Sequence, residues 1–99
     1  MPYRIEYSPE SEDHLIALPA KDRVVVLDAV DRQLAHQPNV ETRNRKLMRP
    51  NPVAPWELRI GDLRVYYDIR DSPDPVVHVR AVGVKVHNIV RIGGSKFAL

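Results

Sequence analysis

Two arginines that face each other across a hairpin are the residues of this chain best placed to do chemistry. Two segments that alternate between apolar and polar residues, Trp56–Ile60 and Leu63–Ile69, flank Gly61-Asp62. A two-residue turn that contains glycine is a strong hairpin signal, and it fixes the register so that Arg59 lies opposite Arg64. Because like charges directly opposite each other destabilise a sheet, the pair indicates an anion, such as a phosphate, bound between them.

The alternation divides the hairpin into two faces and leaves a second interpretation of the arginine pair open. We expect the core face to consist of Trp56, Leu58, Ile60, Leu63, Val65 and Tyr67. The opposite face carries Tyr66, which could stack on a nucleobase, together with Glu57 and Asp68. If these two carboxylates neutralise the arginines, the whole set is a solvated salt-bridge network rather than an anion site.

The next predicted strand, Val76–Val82, adds to the polar face. It is rich in β-branched residues, and its alternation places Ala81 on the core side and both Arg80 and Val82 on the polar side. We expect Gly83 to end this strand. With Arg80 beside the arginine pair, this side of the sheet becomes a basic surface.

Basic residues before and after these strands extend the candidate site. Arg45 and Lys46 precede the hairpin, and Lys85, His87 and Arg91 follow the last predicted strand. His87 is the only histidine among these nearby bases, and a histidine side chain can move a proton near neutral pH. The alternative is that His87 is an ordinary surface residue.

The elements before the hairpin are a strand and two helices. Tyr3–Ser8 alternates as a strand, and Ser8-Pro9 begins a helix because serine caps helix N-termini and proline fits the first helical position. Pro19 ends that helix, and a longer one fits Ala20 to about His36. Its apolar stripe, at i, i+3 and i+4 spacing, consists of Val24, Leu27, Val30 and Leu34.

This order of elements predicts an α+β fold formed by residues 1–99 as one domain. A strand and two helices are followed by three or four antiparallel strands. We therefore expect an antiparallel sheet of four or so strands with the N-terminal helical hairpin packed on one face. The tail after Gly83 remains open between a short strand at Ile89–Ile92 and a turn of helix.

Composition excludes several classes of protein. The 99 residues contain no cysteine, which excludes a disulfide framework, a thiolate nucleophile and a cysteine zinc site. The four histidines show no paired spacing of metal ligands, so we expect neither a metal nor a cofactor. No apolar run approaches the ~20 residues of a membrane span, and the N-terminus does not resemble a signal peptide. A soluble cytoplasmic protein without a membrane partner is expected.

The charge is unevenly distributed along the chain. Residues 1–38 carry a net charge of −3, whereas the rest carries +5, and eleven of the fifteen basic residues are arginine. Arginine binds phosphate with two parallel hydrogen bonds more readily than lysine does. The distribution favours an acidic ligand, with nucleic acid as the first candidate and a mixed solvated surface as the alternative.

Four segments of the chain have the order and spacing of a known family. They are Leu18-Pro19 before the long helix, Arg45-Lys46-Leu47 before the hairpin, the hairpin Trp56–Asp68, and Ala81–Lys85 at the end of the last strand. In this order they resemble the RelE/ParE superfamily of bacterial toxins, and the resemblance extends from Tyr3 to about Gly94. That family has an antiparallel sheet with an N-terminal helical hairpin on one face.

The resemblance implies the toxin of a type II toxin–antitoxin pair, with a cognate antitoxin as its partner. RelE-like members cut mRNA on the ribosome with the 2′-hydroxyl as internal nucleophile and without a metal. ParE-like members instead inhibit DNA gyrase without catalysis. A third possibility is an inactive basic domain that only binds its antitoxin.

For a RelE-like toxin, the resemblance assigns roles residue by residue. Arg59, Arg64 and Lys85 match basic residues of the family by position; Arg59 and Arg64 would clamp the scissile phosphate, and Lys85 would stabilise the attacking or leaving oxygen. His87 is not matched in this way and is expected as the acid or base because a histidine can move a proton near neutral pH. The expected RNA contacts are Arg45, Lys46, Tyr66, Arg80 and Arg91.

Two positions depart from the pattern of the mRNA-cleaving members. Glu57 stands where those members often have a lysine, and a tyrosine suggested for proton transfer is often found near the position of Arg91. Arg91 or His87 would have to replace that tyrosine, or cleavage is weak or absent. The resemblance therefore implies a toxin more directly than it implies a nuclease.

Overall fold

Two helices follow the first strand and cover one face of a seven-stranded sheet in the computed structural model, which describes residues 2–99. Strand β1 is Arg4–Tyr7, helix α1 is Pro9–Ala17 and helix α2 is Ala20–Leu34. The other strands are β2 (Arg45–Leu47), β3 (Trp56–Ile60), β4 (Leu63–Arg70), β5 (Val76–Val86), β6 (Ile89–Ile92) and β7 (Ser95–Phe97).

The sheet is antiparallel along the order β2-β3-β4-β5-β6-β7, and β1 pairs in parallel with the first part of β5. The predicted α+β class and the helical hairpin on one face are confirmed. The sheet has more than the expected four or so strands, because the tail after Gly83 forms β6 and β7. The open choice for Ile89–Ile92 is thereby resolved as a strand.

The short helix α1 is fixed at both ends by side chains. The Ser8 hydroxyl oxygen accepts a hydrogen bond from the Ser11 backbone N–H at 3.0 Å, and Pro9 occupies the first turn. At the other end, the Arg23 guanidinium of α2 donates to the carbonyl oxygens of Leu15, Ile16 and Leu18. Arg23 thus satisfies carbonyls that the end of a helix leaves free, and it holds the two helices together.

The apolar stripe of α2 is only partly the predicted one. Val30 and Leu34 are buried as expected, but Val24 and Leu27 are exposed, and Val26 takes their place in the core. The prediction was wrong there because Val24–Leu27 is a continuous apolar run. Such a run satisfies helical periodicity in more than one register, and packing against the sheet decides between them.

The main core lies between the helices and the inner face of the sheet. The predicted core face of the hairpin is confirmed: Leu58, Leu63, Val65 and Tyr67 are buried, with Trp56 and Ile60 packed against them. The other members of this cluster are Leu15, Val26, Val30, Leu34, Val77, Val79 and Val82.

Strand β5 contains a bulge at Arg80. After it, the side chains of β5 lie on the face of the sheet opposite to the one that simple alternation predicts. Tyr67 pairs with Val79, whereas Tyr66 pairs with Ala81, so Arg80 is an extra residue in the ladder. Val82 consequently joins the main core and Ala81 turns to the outer face, the reverse of the predicted assignment. The bulge also sets which side chains later in β5 reach the outer face.

The strand β5 continues through Gly83 rather than ending there. Gly83 pairs with both Arg64 and Ile92 inside the sheet. A Cβ at this position would lie 2.5 Å from the Arg91 carbonyl oxygen, so glycine is required by the close approach of β6. Because the strand continues, Lys85 follows Gly83 by two residues and lies on the outer face.

The outer face carries a second hydrophobic cluster in addition to its charged residues. Its buried members are Ala54, Tyr66, Ala81, Val90 and Ile92, and Met48, Val53, Phe97 and Leu99 pack against them. The proline-containing segment 48–55 is folded over this cluster by Asn51, whose amide side chain donates to the Arg49 and Ala54 carbonyl oxygens and accepts from the Val53 N–H. This segment forms one wall of the cleft described next.

Candidate anion-binding cleft

A basic cleft of about 770 Å³ opens on the outer face of the sheet, between segment 46–52 and the second half of β5. Four cationic side chains line it, Lys46, Arg49, Arg59 and Lys85, against one carboxylate, Glu57. The remaining lining residues are Leu47, Met48, Pro50, Asn51, Pro52, Ala98 and Leu99. The excess of cations on concave walls makes the cleft a candidate site for an anionic ligand.

The two arginines of the hairpin lie opposite each other, as the register predicted, but their guanidinium groups differ in access. The Arg59 side chain is 44% exposed and lines the cleft, and its Nη atoms make no hydrogen bond to residues 2–99. The Arg64 side chain is only 12% exposed, and its Nη1 donates to the carbonyl oxygens of Gly61 at 2.6 Å and Leu63 at 2.9 Å. Arg64 is therefore turned back onto the hairpin turn, whereas Arg59 is available to a ligand.

Glu57 is a carboxylate held out of water within this basic region, with only 4% of its side chain exposed. Its Oε1 accepts from Arg59 Nε at 2.7 Å, and its Oε2 accepts from the Tyr66 hydroxyl at 2.9 Å. Arg64 Nε lies 4.0 Å from Oε2. Of the two carboxylates expected to pair with the arginines, only Glu57 does so. Asp68 instead pairs with Arg80 at 3.6 Å.

Tyr66 does not project from the sheet, and the expectation that it could stack on a nucleobase is wrong. Its ring is buried in the second hydrophobic cluster, and its hydroxyl is used by Glu57. Burial raises the pKa of Tyr66 well above its usual value, and the neighbouring Glu57 charge raises it further. The hydroxyl therefore remains a hydrogen-bond donor beneath the cleft.

Two of the expected RNA contacts, Arg45 and Arg80, lie away from the cleft. Arg45 Nη1 donates to the Gln33 carbonyl oxygen at 2.7 Å, and its Nε donates to the Val40 carbonyl oxygen. These bonds fix Arg45 at the end of α2 on the helical side of the sheet, where it has a structural role. Arg80 is exposed in the bulge, beside Asp68.

His87 and Arg91 are also outside the set of residues that line the cleft. His87 and Asn88 form the two-residue turn between β5 and β6, with φ of 51° and 68°, as a type I′ turn requires. Arg91 pairs with Val84, whose side chain packs against the main core, so Arg91 projects from the helical face of the sheet. The structure thus brings Lys46, Arg59 and Lys85 together and leaves these two apart.

The second wall of the cleft was not predicted from the sequence. Arg49 and Asn51 lie in a proline-interrupted segment, and no functional role was predicted for either residue. The sequence feature that could have predicted a folded segment here is Asn51 between two prolines, because asparagine organises tight turns through its own side chain.

Two further properties concern ligands and membranes. Within residues 2–99, no three histidine or acidic side chains are grouped so that they could hold a metal ion. Neither helix of that part of the chain has the length and apolar character needed to cross a membrane.

The fold and the cleft define an α+β domain with a helical hairpin on one face of its sheet and a basic site on the other. A chain in the toxin–antitoxin complex RelBE2 from Mycobacterium tuberculosis has a similar fold, with a TM-score of 0.73 and 22% sequence identity over 86% of this chain and 100% of that chain. The RelE-like fold implied by the sequence resemblance is confirmed by this similarity. No protein-family model matches the sequence, and no curated protein matches it.

Proposed function

We propose that this protein is the toxin of a type II toxin–antitoxin pair and that its basic cleft binds and cleaves mRNA on the ribosome. The observation that carries the proposal is the convergence of Lys46, Arg49, Arg59 and Lys85 on one cleft. The sequence resemblance to RelE-like toxins and the similar fold of a chain in a toxin–antitoxin complex support the same assignment. Four cations on one concave surface suit a phosphodiester backbone, which presents several negative charges in sequence.

The proposed reaction needs electrostatic stabilisation rather than a metal. The 2′-oxygen attacks phosphorus, the bond from phosphorus to the 5′-oxygen breaks, and the products are a 2′,3′-cyclic phosphate and a 5′-hydroxyl. Negative charge that develops on the phosphoryl oxygens is stabilised by the free Nη groups of Arg59 and by the Lys85 ammonium. The proton of the 2′-hydroxyl leaves to solvent and the 5′-oxygen regains one, and the acid–base role of His87 remains a prediction.

An antitoxin partner is supported by the opposite face of the molecule. Ile16 and Val24, on the two helices, are 70% and 66% exposed. Ile16 also lines a groove of about 430 Å³ together with Tyr7, Glu12, Leu15 and Leu27. Apolar side chains exposed in this way are typical of surfaces that another protein covers.

The Tyr7 hydroxyl adds a polar requirement to this groove. It is buried and has no hydrogen-bond partner among residues 2–99. Burial raises the pKa of Tyr7 to about 12, and the Asp31 charge adds to this effect, so the group stays protonated. A bound antitoxin segment would supply the missing acceptor.

Induced expression in bacteria with mapping of mRNA 5′ ends tests the proposal. We expect translation to stop and new 5′ ends to occur inside reading frames, and we expect co-expression of the neighbouring small open reading frame to suppress both. The Lys96→Ala variant, altered at an exposed lysine of β7 outside the cleft, should behave like the wild type. Intact mRNA in growth-arrested cells would contradict cleavage.

A second candidate is a ParE-like toxin that inhibits DNA gyrase without catalysis. The observation that favours it is the pairing of Glu57 with Arg59, which neutralises part of the cleft, together with the position of His87 outside it. Altered plasmid supercoiling beside intact mRNA would support this candidate. Growth without arrest, with the antitoxin still captured, would indicate the inactive basic domain.

A further inference from the structure

Glu57 is an unexpected residue in a cleft proposed to bind anions. It is the only charged residue of the described part of the chain that is buried. A carboxylate there lowers the positive potential that attracts a phosphate, and keeping it out of water is unfavourable unless it is fully paired. A carboxylate at this position therefore points to a contribution other than affinity for the ligand.

The contacts of Glu57 form a short chain from the core of the protein to the ligand site. Tyr66, embedded in the second hydrophobic cluster, donates to Oε2, and Oε1 accepts from Arg59 Nε. Both carboxylate oxygens are thereby occupied by partners of the protein. Glu57 holds the Nε of Arg59, while the two Nη groups of this cleft-lining arginine make no hydrogen bond to residues 2–99.

Such an arrangement restricts one of the most flexible side chains of the site. A partly exposed arginine samples many rotamers, and fixing it on ligand binding costs conformational entropy. A guanidinium already fixed through Nε presents its Nη edge in one orientation, which suits two parallel hydrogen bonds to a phosphate. Preorganisation of this kind accelerates a reaction even where it does not raise affinity.

We propose that Glu57 is a positioning residue that fixes Arg59 for the transition state at the expense of affinity for RNA. The inference rests on the proposed function of the cleft. If Glu57 has this role, removal of its carboxylate should strengthen RNA binding and slow cleavage. A purely structural role would weaken both together.

The Glu57→Gln variant tests this, because the side chain keeps its size and loses its charge. We expect the dissociation constant for a short RNA to fall by roughly threefold to tenfold at low salt, because one opposing charge is removed. We expect the single-turnover cleavage rate on programmed ribosomes to fall by about tenfold or more. The neutral amide offers Arg59 and Tyr66 one acceptor oxygen instead of two and forms no ion pair with Arg59, so it holds the guanidinium less firmly.

Two matched variants separate charge from position. Tyr66→Phe removes the support of Glu57 but keeps every charge of the cleft, so RNA affinity should stay within about twofold while cleavage slows. Asp28→Asn makes the same change of net charge on the exposed face of α2, where Asp28 pairs with Arg32. It should alter neither quantity.

A direct measurement of Arg59 distinguishes failure of this inference from failure of the proposed function. In the NMR spectrum, the Arg59 Nε–H should exchange slowly with water in the wild type and measurably faster in Glu57→Gln. Rapid exchange in the wild type, an unchanged cleavage rate in Glu57→Gln, or weaker RNA binding by that variant would overturn the positioning role. A wild type with a protected Arg59 Nε–H that neither binds nor cleaves RNA would instead refute the proposed function.

Discussion

The Tyr66 hydroxyl lies 2.9 Å from Glu57 Oε2, and both residues are buried beneath the basic cleft. They occupy paired positions on β4 and β3, so the register of the hairpin brings them together. The side chain that sequence alternation assigned to nucleobase stacking is therefore the support of the carboxylate that holds Arg59. This bond connects the second hydrophobic cluster to the candidate site.

The Tyr66→Phe variant should be less stable, because it leaves the buried Glu57 Oε2 without its donor. We expect the free energy of unfolding to fall by about 1.5–3 kcal/mol, the usual range for a hydrogen bond to a charged group. Urea denaturation followed by circular dichroism measures the change. The matched control is Tyr3→Phe, because the Tyr3 hydroxyl donates to Asp71 at an exposed position and its loss should cost under about 1 kcal/mol. Equal losses in the two variants would contradict the role given to burial.

The register of the hairpin was predictable from the sequence, whereas the side-chain partners in the site were not. Gly61-Asp62 and strict alternation leave one pairing for Arg59 and Arg64, and that pairing is observed. Which of the two guanidinium groups reaches the cleft depends on rotamers and on the local carbonyl oxygens. Alternation along a strand carries no information about either.

The bulge and the wall of the cleft escaped the sequence analysis for a related reason. β5 has apolar residues on both of its faces, so one extra residue at Arg80 leaves no visible break in the pattern. The position of segment 48–55 depends on contacts between residues distant in sequence, such as the packing of Met48 and Val53 against the second hydrophobic cluster. Local propensity does not determine contacts of that kind.

Gly83 should not tolerate even the smallest side chain. The Cβ of Gly83→Ala would lie 2.5 Å from the Arg91 carbonyl oxygen and 2.8 Å from the Ile92 side chain, so β5 and β6 would have to separate. We expect the free energy of unfolding to fall by about 2–3 kcal/mol, in the upper range for overpacking. Gly94→Ala is the matched control, because nothing lies within 4 Å of its added Cβ. A melting temperature of Gly83→Ala equal to that of the control would refute the close approach.

The free energy of unfolding should decrease on acidification because of one histidine of α1, which accepts a hydrogen bond from a backbone N–H of β5. His14 Nδ1 accepts a hydrogen bond from the Val82 backbone N–H at 3.3 Å, which requires an unprotonated Nδ1. Burial lowers the pKa of His14, and this effect exceeds the opposing influence of Asp13 and Glu10. The unfolded chain, with a pKa near 6.5, therefore binds a proton before the folded protein does. The free energy of unfolding should be constant above that pH and fall below it until the folded protein also titrates.

Urea denaturation at pH 7.5 and pH 5.5 measures this contribution. The His14→Gln variant is the control, because an amide oxygen can accept from Val82 N–H and does not titrate in this range. The wild type should lose more stability between the two pH values than the variant does. An identical loss in both proteins would assign the pH dependence to other groups.

Antitoxin capture should depend on the exposed apolar residues of the helices. Ile16→Asp places a charge on the surface that lines the groove near Tyr7, so we expect binding of the co-expressed antitoxin to weaken by tenfold or more, about 1.4 kcal/mol. Stability should change little because Ile16 is exposed. Val86→Asp alters another exposed apolar residue, at the end of β5, and antitoxin binding by that variant should match the wild type. Undiminished capture by Ile16→Asp, measured by calorimetry, would place the antitoxin elsewhere.

Lys85 offers the cleanest separation of activity from stability. Its side chain lines the cleft and makes no hydrogen bond or ion pair with another side chain of residues 2–99. Loss of a charge-assisted contact to a transition-state phosphate costs about 2–4 kcal/mol, or roughly 30- to 1000-fold in rate. We therefore expect Lys85→Ala to lose most of its toxicity on induction while its melting temperature stays within about 2 °C of the wild type.

Two comparisons make the Lys85 result specific. Lys96→Ala removes the same charge from an exposed position in β7 and should remain toxic. Arg64→Ala removes the bonds to the Gly61 and Leu63 carbonyl oxygens, so it should lower the melting temperature as well as toxicity. If Lys85→Ala stays fully toxic, or if Lys96→Ala loses toxicity to the same extent, the cleft does not act on the phosphate and the gyrase-inhibitor candidate becomes the better account of this fold.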